Sequence, residues 1–141
     1  MNIQRIKADI STARNNLSPE GNPTNDEYLY DIAAYHAQQA VEKILKYILH
    51  NKYGLDDTTR QFKTHNISTL LIMVNAHEAD FISKHQKLVD LSDEITSWEA
   101  STRYGENLVA AKDTIIDVLD YCDHVLINEM LPYTADFKYD K

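Results

Sequence analysis

The chain has 141 residues, with 14 Lys and Arg against 22 Asp and Glu, a formal charge of −8. That length suits one domain, which buries roughly two thirds of the surface its unfolded chain exposes, so no disulfide or metal staple is required. A lone cysteine, Cys122, excludes an intramolecular disulfide and fits a reducing compartment, while the acidic balance repels nucleic acid at long range, so any nucleotide or RNA must be held by a local cationic pocket.

No apolar run approaches the length of a membrane span, and the opening MNIQRIKAD has no apolar signal core. A cytoplasmic protein without a membrane partner is the expectation.

In chain order, Ile3, Ile6, Ile10, Ala13 and Leu17 recur at spacings of three and four, one apolar stripe on a helix closed by Pro19 and Gly21. The linker SPEGNPTND follows, with Asn25 or Asp26 as the cap of a long second helix from about Glu27 to Lys52. Ala37, Val41, Ile44 and Ile48 form its stripe. Ala33, Ala40 and Leu45 widen it, as suits a helix with neighbours on two sides. Gly54 is a plausible stop. The stretch 54–66 has no periodicity and reads as a loop.

Ile67, Leu70, Leu71 and Val74 predict a short third helix. Leu88, Leu91, Ile95 and Trp98 predict a fourth helical region over about 79–102, of which Phe81 belongs to a separate first piece. Gly105 breaks the chain. Leu108, Ala111, Ile115, Val118, Cys122 and Val125 predict a last helix, flanked by Leu119 and Leu126 and therefore central, ending at Pro132. No alternating strand pair is present. The expected fold is an all-α, antiparallel, up-and-down bundle of four to five helices over residues 1–131, followed by a flexible tail at 132–141.

Several kinds of chemistry lack their residues. One cysteine and six scattered histidines provide no zinc motif, and no cofactor is expected. Asp113, Asp117, Asp120 and His124 share one face of the last helix. That face reads as a solvated acidic surface with an Asp120–His124 pair rather than a divalent-ion site. Cys122 lies on the apolar stripe, where a thiol is poorly ionised. Three glycines cannot build a phosphate loop.

Three places are more suggestive. In STRYGEN, Arg103 and Tyr104 fall where one helix ends and the next begins. A guanidinium there can grip a phosphate with two parallel bonds, and the phenol ring can stack on a base; an ion pair of Arg103 with Glu99 or Glu106 is the plainer alternative. In YHAQQAVEK, His36, Gln39 and Lys43 lie along one polar strip, and Gln39 and Lys43 could complete a phosphate or base site or simply face solvent. In KTHNISTLL, His65 sits at the start of the third helix, as a base, a ligand contact or a cap.

Taken together, AYHAQQAVEKILKYIL at 34–49, KTHNISTLL at 63–71 and EASTRYGEN at 99–107 resemble the HEPN family, over about residues 3 to 130. The resemblance implies a four- or five-helix bundle, usually dimeric, in one of two roles. Some members bind nucleotides beside a minimal nucleotidyltransferase; others are metal-independent ribonucleases, often toxins of toxin–antitoxin pairs. The ribonucleases carry an Arg followed after four to six residues by a His, the His moving protons and the Arg stabilising phosphate charge. Arg103 matches, but the positions due for His are Leu108, Val109 and Ala110, none of which transfers a proton. Arg60 and His65 have the spacing at a displaced position. The expectation is therefore a non-catalytic, homodimeric domain in which Arg103, Tyr104, Lys43, Gln39 and His65 hold a nucleotide or RNA phosphate. The alternatives are a ribonuclease toxin and a purely structural interaction module.

Overall fold

The computed structural model describes residues 3–104 and 110–130, with side chains for 3–99 and 110–130. Helix α1 spans Ile3–Leu17 and buries Ile3, Ile6, Ile10, Ala13 and Leu17, the stripe read from spacing, together with one acid, Asp9. The linker then doubles back tightly. A Cβ on Gly21 would come within 1.8 Å of the carbonyl oxygen of Asn15, so only glycine fits the turn. Buried Asn22 clamps the far side, accepting from the Asp26 N–H at 2.8 Å and donating to the Asp26 carbonyl at 3.1 Å.

Helix α2, Glu27–Tyr47, starts at Asp26, whose carboxylate accepts the Tyr28 N–H at 2.9 Å. It continues as a π-helical stretch, Ile48–Lys52, and stops at Gly54, where φ is +72°. The aperiodic loop contains an unanticipated 3-10 turn, Gln61–Lys63, which plugs Phe62 into the core. A single aromatic in a polar stretch has no period to betray it. Helix α3 is Ile67–His77, capped by Asn66, which accepts the Thr69 N–H. The predicted fourth region divides into α4, Phe81–Lys84, and α5, Gln86–Tyr104, with Phe81 in the separate piece.

Helix α6 spans Lys112–His124, followed by a 3-10 segment, Leu126–Met130. Two ends of its expected stripe are corrected. Ala111 is the exposed N-cap, and Val125 is 40% exposed, because the helix stops at His124 and the tighter turn swings Leu126 and Met130 inward instead. Leu108, Pro132 and the 132–141 tail lie outside the described residues. The centre of the bundle is α2 rather than α6, since α2 packs against α1, α3, α5 and α6. Its wide apolar arc (Ala33, Ala34, Ala37, Ala40, Val41, Ile44, Leu45) requires as much. The fold is an all-α bundle, and no strand occurs among the described residues.

Candidate functional site

Because α2 is central, each margin of its apolar arc meets a different neighbour, and each margin carries buried charge. At about 100° per residue, His36 and Lys43 fall on the margin facing α1, while Gln38, Glu42 and Lys46 fall on the margin facing the start of α3. On the first margin, Asp9 of α1 contacts His36 Nδ1 at 2.9 Å and accepts a bond from Lys43 Nζ. Burial alone would raise the Asp9 pKa, but the bonds and charges of His36 and Lys43 outweigh it and hold the carboxyl below its ordinary value.

The second margin is organised by Glu42, whose side chain is 7% exposed. Gln38 Nε2 donates to Glu42 Oε1 at 2.9 Å, and His65 Nδ1 meets the same oxygen at 2.9 Å. Lys46 Nζ reaches Oε2 at 3.1 Å and lies over the Phe62 ring, 5.7 Å from its centroid. Gln38 Nε2 also approaches the His65 carbonyl at 3.3 Å, tying the loop to α2. Gln39 extends the chain outward, donating to Gln38 Oε1 at 2.7 Å. His65 remains 46% exposed. The helix it precedes is docked by Thr96 of α5, whose hydroxyl oxygen accepts the Ile67 N–H at 3.0 Å.

This arrangement has a central helix with a polar margin and a His at the start of α3. The HEPN domain family matches residues 3–127. The chain belongs to the HEPN family. Neither a curated protein nor a solved structure matches it.

Within this HEPN domain the sequence-predicted residues divide. Gln39 and His65 join one hydrogen-bonded network through Gln38 and Glu42. Lys43 does not. Its ammonium is committed to Asp9 on the α1 margin, away from His65, so the expected second cation is not in that group. Arg103 and Tyr104 occupy the last turn of α5, and their side chains lie outside the described residues. Position 103 is seven residues past Thr96, two turns along the same face, about 10 Å by the helical rise. The near side of α6 is fixed on α2, where Asp31 accepts the Ala110 N–H at 3.3 Å.

His65 does not cap α3; Asn66 does. Arg60 is exposed at the start of the 3-10 turn, and no described contact joins it to His65. Two of the three acids on that face of α6 are in ion pairs. Asp117 meets Lys87 at 2.7 Å, and Asp120 meets Arg14 at 2.9 Å rather than His124. No group of three or more metal-ligating side chains occurs among the described residues. Cys122 is fully buried, which pushes its thiol up to about 12. No described helix is long and apolar enough to cross a membrane.

Sequence reasoning missed Asp9, Gln38, Glu42 and Lys46. The available signal was position. All four border an apolar stripe, where a polar side chain is half inside and needs a partner.

Proposed function

We propose that this HEPN domain binds a nucleotide, or the phosphate of an RNA, without cutting it. It acts as a cytoplasmic homodimer beside a minimal nucleotidyltransferase supplied by another chain. Arg103 grips phosphate and Tyr104 stacks on the base. Gln39 and His65 supply hydrogen bonds from the α2–α3 side. Lys43 is outside this set, because Asp9 neutralises it.

The observation that carries the reading is the sequence after Arg103. Leu108, Val109 and Ala110 stand where a ribonuclease of the family needs its proton-transferring His, so phosphate can be held there without being attacked. Calorimetry with ATP, GTP and a short RNA tests it. Saturable binding is expected, weakened at least tenfold by Arg103→Ala, the scale of one charged hydrogen-bonded contact. No binding by the wild type, or equal binding by the variant, rejects the pocket.

One observation favours a second reading, ribonuclease activity. His65 has a carboxylate on Nδ1 and a half-exposed ring, the arrangement of a positioned general base, and Arg60 precedes it by five residues. Digestion of RNA with EDTA present separates the two. Cleavage that disappears in His65→Ala would replace the binding reading with the catalytic one.

A further inference from the structure

The polarity of the Glu42 network is fixed by its own members. Lys46 has only protons to give, and Gln38 presents its amide nitrogen, so Glu42 acts purely as an acceptor. The His65 nitrogen that meets it, Nδ1, must then carry the proton, and in the neutral ring Nε2 keeps a lone pair. The same logic runs outward through the amides. With its nitrogen turned to Glu42 and the His65 carbonyl, Gln38 offers its oxygen to Gln39 Nε2, which leaves Gln39 Oε1 at the outer end. The outer rim thus presents two acceptors, Gln39 Oε1 and, in the neutral ring, His65 Nε2, beside the second N–H of Gln39. Among the described residues, no partner meets either.

We propose that this rim is an acceptor pair that takes the hydrogen-bond donors of a nucleotide, its vicinal ribose hydroxyls or its base amine. This rests on the nucleotide reading above and deepens it. A phosphate oxygen is itself an acceptor and gains nothing from either lone pair. The ligand is thereby oriented with its phosphate toward α5 and its donor groups against α2 and α3. A buried carboxylate specifies that orientation without touching the ligand.

Calorimetry of the full chain compares AMP with 2′,3′-dideoxy-AMP, which lacks the diol, and with IMP, which lacks the amine. About tenfold weaker binding of one analogue identifies the donor source, and that preference should vanish in His65→Phe and in Gln39→Leu. Gln39 lies at the outer end of the network, so Gln39→Leu tests the pair even where His65→Phe loosens the loop. Equal affinity for all three ligands overturns the acceptor pair and leaves nucleotide binding standing; binding of none removes both. Independently of any ligand, long-range proton–nitrogen correlation of the His65 ring at about pH 8.5, above the ordinary histidine range, should show the proton on Nδ1. A proton on Nε2 overturns the inference outright.

Discussion

Glu42 is satisfied among apolar neighbours because Gln38, Lys46 and His65 all converge on it. In Glu42→Ala, Lys46, with a side chain only 10% exposed, loses its counter-charge and the His65 loop loses its anchor. Removing one partner of a buried pair costs about 3–5 kcal/mol, so the urea midpoint should fall sharply. Gln39→Ala, at the outer end of the same chain of bonds, should move stability by less than about 0.5 kcal/mol. Equal effects of the two would show that Glu42 organises nothing. Cys122 offers a second check at this scale. Its thiol, fully buried and raised to about 12, should resist alkylation at about pH 8 until denaturant is added. Neither feature announces itself in the sequence in the same way. The position of Cys122 on a three-four stripe gives away its burial. Glu42 looks like any charge on a helix, since its partners come from the loop before α3 and cannot be read from its own neighbours in sequence.

Among the elements, two glycines hold their turns for different reasons, and substitution separates them. Gly54→Ala meets no neighbouring atom but must adopt a φ of +72°, a cost of about 1–2 kcal/mol. Gly21→Ala collides with the Asn15 backbone, so the end of α1 itself must move, and the loss should exceed that at Gly54. Thermal melts of the two variants rank them, and a larger drop at Gly54 would contradict the geometry. The helix ends also set an acid response. His85, between α4 and α5, contacts Tyr121 of α6 through Nδ1, and burial pushes its pKa below 6.5 despite the nearby Glu129. The unfolded chain takes up that proton more readily, so this contribution is present above about 6.5 and is lost as pH falls. Glu78, at the end of α3, accepts from Lys52 and Tyr53 at 2.7 Å each. Burial alone would raise its pKa, but these bonds and the Lys52 charge outweigh it. Its contribution is therefore present above 4.5 and lost below. Urea midpoints across pH should descend in two stages, and Glu78→Gln should flatten the lower one alone. The helices themselves were legible because periodicity and caps coincide at Asp26 and Asn66. Extending the last period through Val125 failed because a 3-10 turn advances each residue by more than an α-helix does, so the inward face passes to Leu126.

For the molecule as a whole, the charge of −8 limits what a phosphate grip can achieve. Among the described residues Lys43, Lys46, Lys87 and Arg14 are bound to carboxylates, which weakens their pull on an RNA backbone. Affinity should saturate at one or two nucleotides. The logarithmic salt slope for single-stranded RNA should be about −0.7 to −1.4, the weight of one or two phosphates. A steep slope growing with RNA length would mean an extended basic track instead. The all-helical class and α2's breadth follow from apolar spacing, but which helix lies at the centre depends on the neighbours that cover each margin. Trp98, the one indole in the chain, lies 2% exposed on α5, one turn and a half before Arg103. Its emission is thus an intrinsic optical gauge, blue while α5 stays seated and shifting to the red when that rod lifts away.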